Sequence, residues 1–192
     1  MFADALTCRL AGIVDLSAEQ LSVLEGHYKM LLRWNRSVNL TSISGLEEAV
    51  ERHYCESLFL AASLPAGRLR IADIGSGAGF PGFPVAVLRP DCSVTLVESH
   101  QRKAVFLREV SRTLPSVRVL SKRAEAVGEQ FDRVISRAVS YRDLTTSLKV
   151  LAESADLLTG AEEPPPELGF YWVPAMALPW GKQRFLRTGR RL

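Results

Sequence analysis

The residues from Asp73 to Pro84, Asp-Ile-Gly-Ser-Gly-Ala-Gly-Phe-Pro-Gly-Phe-Pro, have the types and spacing that suit ligand chemistry. Ile71 and Ile74 flank the acid as strand formers, so Asp73 stands near the end of a buried strand. Gly75, Gly77 and Gly79 then permit positive φ and close approach of the backbone to a ligand. Pro81 and Pro84 suit the first turn of a helix, where a missing N–H is no loss. A helix N-terminus aimed at such a loop favours an anionic or polar ligand.

Gly77 to Gly82 fits G-x-G-x-x-G, which taken alone is weak evidence for a dinucleotide such as NAD. Asp73 shifts that reading, because a fixed carboxylate there repels a pyrophosphate and attracts the ammonium of an amino-acid moiety. With Gly75, Gly77 and Gly79 it forms D-x-G-x-G-x-G, a loop typical of S-adenosylmethionine sites. Glu98 closes the next strand, 25 positions on, where it is placed to accept ribose hydroxyls from either cofactor. Glu125 follows the third strand at the same carboxyl-end rim and reads as an adenine-side contact. Together these features favour S-adenosylmethionine over NAD.

The elements that must position this loop are legible as an alternation. Strands over 71–74, 93–98, 117–120 and 131–136 alternate with helices over 85–88 and 102–114, the pattern of a mostly parallel sheet covered on both faces. A further helix at 144–153 and a fifth strand at 156–159 follow. Residues 162–166 read as a loop, and 170–178 with 184–188 as an antiparallel pair closing the sheet edge. Upstream, Ser17 and Gln20 have capping-box form and open a helix that reaches about Trp34. Trp34 to Thr41 reads as a polar connecting loop. Ser44 and Glu47 suggest a second capping box, opening a helix through Ala61 that Pro65 and Gly67 stop. The expected organisation is a helical N-terminal extension at 1–65 and a Rossmann-like domain at 66–192.

The 192 residues, 47% hydrophobic and 23% charged, are those of an ordinary globular chain with no stretch long enough to span a bilayer. Met1 to Leu10 lacks a signal-peptide apolar region, so a cytoplasmic protein is expected. Cys8, Cys55 and Cys92 are odd in number and show no Cys-x-x-Cys, which suggests neither a metal site nor a disulfide framework. The net charge of +3 is unevenly spread: Arg102 to Asp143 carries ten basic residues against five acidic ones. The tail adds Lys182, Arg184, Arg187, Arg190 and Arg191. Such clusters are the footprint of a polyanion binder or simply solvated helix faces, and the sequence leaves both open.

Asp73 through Pro84, Val94-Thr-Leu-Val-Glu-Ser99, Lys103-Ala-Val-Phe-Leu107, Arg123-Ala-Glu125 and Ser136-Arg-Ala-Val139 together resemble one family. It is the small-subunit ribosomal RNA guanine-N7 methyltransferase family, RsmG, also called glucose-inhibited division protein B. Trp34-Asn35, Asn39-Leu-Thr41 and His53 to Leu58 extend the resemblance upstream, so that it covers roughly residues 20 to 150. G-F-P-G-x-P is its most specific element. The resemblance implies a class I S-adenosylmethionine-dependent methyltransferase fold with an antiparallel last strand, and methyl transfer to N7 of a guanine in 16S rRNA. The small ribosomal subunit is then the partner, and nothing demands more than a monomer. Carried over by position, the cofactor contacts are Gly75, Phe80, Glu98, Ser99, Ala124, Glu125 and Arg137. Arg102, Lys103 and Arg123 are candidate phosphate contacts, Arg137 also a candidate for orienting the guanine. His53 either lines the substrate side or packs structurally, and Trp34 and Tyr54 read as core. His100 departs from the small or apolar residue usual at its place, and the chain after Leu144 lacks the family's Pro-Gly-Gly turn. A small-molecule methyltransferase on the same cofactor and a non-catalytic RNA-binding module remain alternatives.

Overall fold

A computed structural model describes residues 1–192. The chain opens with helices α1 (Phe2–Leu10), α2 (Ala18–Val38) and α3 (Leu46–Ala49). From α3 it passes through a π-helical segment, Val50–Cys55, into α4 (Glu56–Ser63). The alternating part then runs β1 (Arg70–Ile74), α5 (Gly82–Leu88), β2 (Ser93–Val97), α6 (Gln101–Val110), β3 (Val117–Leu120), β4 (Arg133–Arg137), α7 (Tyr141–Leu151) and β5 (Ser154–Thr159). Strands β6 (Phe170–Trp172), β7 (Met176–Ala177) and β8 (Phe185–Arg191) end it.

The sheet order is β3-β2-β1-β4-β5-β8-β6, with β7 also paired to β8. The first five strands are parallel and β8 returns antiparallel against β5. The strand order reverses between β1 and β4, so the crevice at their carboxyl ends is where an open α/β sheet takes its ligand. The central strands are buried almost throughout, because helices cover one face and α7 the other.

The larger of two cores, 33 buried residues against 14, lies on the face shared by α5, α6 and the N-terminal helices. Leu24, Tyr28 and Leu31 from α2 meet Tyr54 and Leu58, and all join Phe83 and Phe106 beneath the sheet. The sites of this fold therefore sit against a wall that the first 63 residues help to build. No helix is long and apolar enough to cross a membrane.

Several boundaries differ from the sequence reading, each for a local reason. Trp34 to Thr41 is not a loop from its start. Helix α2 continues to Val38, and Asn39 ends it in the left-handed conformation at φ 43°. Asn35 sits inside that last turn and braces the exit: its Oδ1 accepts from Leu40 N at 2.7 Å and Thr41 N at 3.0 Å, while its Nδ2 donates to the Thr41 carbonyl. The Ser17 capping box forms as read, with both reciprocal hydrogen bonds. The second does not: Gly45 is the N-cap of α3 and no side chain caps it. The helix reaching Ala61 is continuous in path but π-helical at its centre, a feature with no propensity signature. Helix α7 starts at Tyr141, capped by the Ser140 hydroxyl on Asp143 N, three residues before the apolar pattern begins.

Candidate active site

Gly75 follows β1 at φ 70°, and an added Cβ there would lie 2.5 Å from Val139 Cγ2. This glycine is a septum between two cavities. The smaller, about 250 Å³, is lined by Ile74, Val97, Ser99, Ala124, Glu125 and Val139 along with Gly75 itself; Lys122, Arg123 and Asp143 complete its rim. The larger, about 700 Å³, opens on the other side toward the N-terminal helices. Gly77, Phe80, Lys103 and Arg137 contribute to its wall from the sheet domain; Thr41, Arg52 and His53 contribute from the helical part.

Asp73 is fully buried. Its Oδ2 accepts from Gly82 N at 2.9 Å, so the carboxylate takes up the helix N-terminus that the sequence reading left for a ligand. Its Oδ1 has no partner. Burial pushes this carboxyl up to about 7, against the pull of the Gly82 N–H. Gly82 is needed for that contact, since a Cβ there would stand 2.4 Å from Leu96 Cδ2 and 2.6 Å from Asp73 Oδ2. Glu98 is also buried and turned onto backbone, accepting from Gly77 N at 2.9 Å and His100 N at 2.7 Å. Both acids thus shape the glycine loop directly.

A second brace on the loop comes from a residue the sequence reading did not single out. His27 of α2 is buried, with Nε2 3.0 Å from the Ala78 carbonyl and Nδ1 2.7 Å from the Tyr54 hydroxyl. A carbonyl only accepts, so Nε2 carries the proton and the Tyr54 O–H donates to Nδ1. Burial pushes His27 down to about 4, which keeps this neutral tautomer at ordinary pH. The ring stacks on Phe83 with centroids 4.3 Å apart. Its only sequence signal was a histidine on the apolar face of a helix, and that pattern carries no address.

His53 lies on the wall of the larger cavity, parallel to the Phe80 ring at 4.4 Å. Arg137 Nη1 donates to its Nδ1 at 2.6 Å, which leaves Nε2–H to donate to Thr41 Oγ1 at 2.9 Å. Burial and the facing guanidinium push the ring down to about 3. Arg137 does not form the surface pair with Asp132 or Asp143 that was the alternative for it. Nine-tenths buried, it lies 3.8 Å from Glu56, and burial lowers its guanidinium to about 10. Of the other expected site residues, Ser99, Ala124, Glu125 and Arg123 gather at the smaller cavity. Gly77, Phe80 and Lys103 gather at the larger one, and Gly79 stands behind it at φ 93° against Leu107 and His27. Arg102 is exposed and lines neither. Trp34 packs on Phe106 and Tyr54 is fully buried, both as core.

The family model described as rRNA small subunit methyltransferase G matches residues 20–158. The ribosomal RNA small subunit methyltransferase G of Halorhodospira halophila is 44% identical over 130 residues, which cover 66% of this chain and 61% of the relative. That of Chromobacterium violaceum is 41% identical over 131 residues, covering 66% and 62%. The chain thus spans about three fifths of the length of the curated relatives it matches. Among solved structures, the magnesium protoporphyrin IX methyltransferase of Synechocystis, determined with S-adenosylmethionine bound, superposes with a TM-score of 0.61. It shares 11% identity, with 86% of this chain and 97% of that one covered, a likeness of fold alone. The fold is the Rossmann-like one of class I methyltransferases, with an N-terminal helical extension, and the chain belongs to the rRNA small subunit methyltransferase G family.

Proposed function

We propose that this protein transfers a methyl group from S-adenosylmethionine to N7 of a guanine in 16S rRNA of the small ribosomal subunit. The observation that carries the reading is the division of the crevice by Gly75 into two unequal cavities, one against the sheet's own loops and one against the helical extension. Family membership supplies the substrate class.

The residues present suit such a cofactor. The smaller cavity sets apolar walls, Ile74, Val97 and Val139, beside the Glu125 carboxylate and the Ser99 hydroxyl, a mixture suited to a purine and its ribose. Ala124 extends that wall. Gly75, Gly77 and Phe80 would carry the amino-acid end past the septum, with Glu98 and Asp73 holding the loop from behind and the unpartnered Asp73 Oδ1 adding negative potential for an ammonium. Bound there, the cofactor supplies an electrophilic sulfonium methyl, and guanine N7 has a free lone pair that needs no deprotonation first.

The protein's task is then orientation rather than proton transfer. Neither nitrogen of His53 is free, which suits a wall and not a general base. Arg137 spends Nη1 on His53, so one amine, Nη2, is left to face the RNA, too little for a two-pronged contact to the guanine. A two-pronged contact would occupy N7 and block attack. Lys103 and Arg123, one at each cavity, would position phosphates without specifying sequence.

The test is incubation of the protein with labelled S-adenosylmethionine and undermodified small subunits or naked 16S rRNA, followed by strand scission at 7-methylguanine. Label at one guanine supports the reading. Label in small molecules but not in rRNA, or binding of the RNA without cofactor binding, contradicts it.

A further inference from the structure

We infer that Arg52 and Arg137 form an oxyanion subsite in the larger cavity, and that its ligand is a phosphate of the RNA backbone beside the target base. This rests on the function proposed above. The starting point is Glu56, a fully buried carboxylate that lines neither cavity. Its two oxygens are taken by the Arg184 fork, Nε to Oε1 at 2.9 Å and Nη2 to Oε2 at 2.6 Å. Arg52 Nε lies 3.6 Å from Oε1 and Arg137 Nε 3.8 Å from Oε2, too far for hydrogen bonds, and both Nε atoms are buried without a partner.

Three guanidiniums therefore share one negative charge. His53 cannot offset the remainder, since it is neutral and already accepts from Arg137. Around the cavity the lining charges are Arg52, Arg137 and Lys103 against Glu48 alone. Clustered like charge at a poorly solvated wall is costly unless a counter-ion arrives. The Arg52 Nη amines and Arg137 Nη2 donate to no protein acceptor, and the Arg52 side chain is 37% exposed, so the pair is open toward the cavity. Planar forks of this kind match the oxygens of phosphate or carboxylate.

Two molecules can bring an oxyanion here, the RNA backbone and the amino-acid end of the cofactor. The amino-acid end arrives as a zwitterion, with its own ammonium, and leaves the excess charge unchanged. A phosphodiester brings one net negative charge and halves it. The wall that the helical extension adds is then a phosphate anchor that sets the guanine's approach.

The experiment compares wild type with Arg52→Gln and Arg52→Lys, each checked for folding by thermal melting. Binding of a single-stranded oligoribonucleotide and of S-adenosylmethionine is measured across salt concentrations. The expected result is a roughly tenfold loss of RNA affinity in Arg52→Gln, a salt slope lower by about one, and unchanged cofactor affinity. Arg52→Lys should restore the slope but not the full affinity. A fall in cofactor affinity instead, absent for decarboxylated S-adenosylmethionine, assigns the subsite to the carboxylate and overturns the phosphate assignment. Titration with inorganic phosphate, read on the arginine Nε–H NMR signals, decides the subsite independently: shifts at Arg52 and Arg137 support it, and none refutes it. If wild type binds no RNA while phosphate shifts both signals, the proposed function fails and the anion subsite stands.

Discussion

The two cavities beside Gly75 are built in different ways. The smaller is made from residues that follow consecutive strands: Ser99 after β2, Ala124 and Glu125 after β3, Val139 after β4. Its polar groups, Ser99 and Glu125, are solvent-facing and make no hydrogen bonds within the protein. The larger joins distant parts of the chain through buried polar contacts. His53 meets Arg137 across 84 positions, and Glu56 meets Arg184 across 128. One side is a socket the sheet makes by its topology, and the other is a wall whose charges hold one another in place. Damage to the second should cost stability as well as function, whereas damage to the first should cost affinity alone.

The sharpest way to break the contrast is Glu56→Gln. Removing the carboxylate leaves three guanidiniums with no counter-charge, and losing one partner of a buried pair typically costs about 3–5 kcal/mol. The urea midpoint should drop accordingly, and an unchanged midpoint would mean the cluster carries no strain. Acid comes next. His27 and His53 are held neutral, pushed down to about 4 and about 3, so the unfolded chain binds more protons below pH 6.5. Stability therefore falls as pH drops from 6.5 toward 4, by about 3 kcal/mol for His27 alone. Asp73, pushed up to about 7, acts in the opposite sense between pH 7 and its ordinary value near 3.8, offsetting part of that loss. Urea midpoints from pH 6.5 down to 5 should decline in wild type, where two histidines outweigh Asp73, and stay nearly level in His27→Gln.

Gly82→Ala probes the seam common to both cavities. Its Cβ would press on Leu96 and Asp73, and overpacking of this kind costs about 1–3 kcal/mol. Gly128→Ala is the control, with nothing within 4 Å of the added carbon, and its melting temperature should be near wild type. The smallest effect expected is that of Tyr54→Phe, which removes the hydroxyl that donates to His27 Nδ1. A loss of about 1 kcal/mol in stability should be accompanied by weaker binding of S-adenosylmethionine, as the Ala78 carbonyl loses its fixed partner. Weakening without any change in cofactor affinity would make the His27 brace purely structural.

The same contrast explains what could be read from the sequence. The alternating strands and the glycine run are local patterns, so the parallel sheet and its antiparallel closing strand follow from periodicity and turn residues. Asp73 and Glu98 were visible as strand-end acids, but their hydrogen bonds to Gly82 and Gly77 depend on how α5 and the loop pack, which spacing does not encode. Trp34 to Thr41 reads as a loop because asparagines break helices on average; here Asn39 ends the helix in the left-handed conformation and Asn35, inside its last turn, braces the exit. His27 and Glu56 leave no signal in the sequence, because a buried polar residue on an apolar helix face shows its purpose only once its distant partner is known. The π-helical turn that carries Arg52 and His53 has no sequence pattern at all.

If Gly75 separates a nucleoside side from an RNA side, as proposed, adenosine alone should report which is which. Amide NMR shifts on titration with adenosine should map to Val97, Ser99, Ala124, Glu125 and Val139, leaving Thr41, Arg52 and His53 in place. Shifts centred on Thr41 and His53, with Ser99 and Glu125 unmoved, would contradict it.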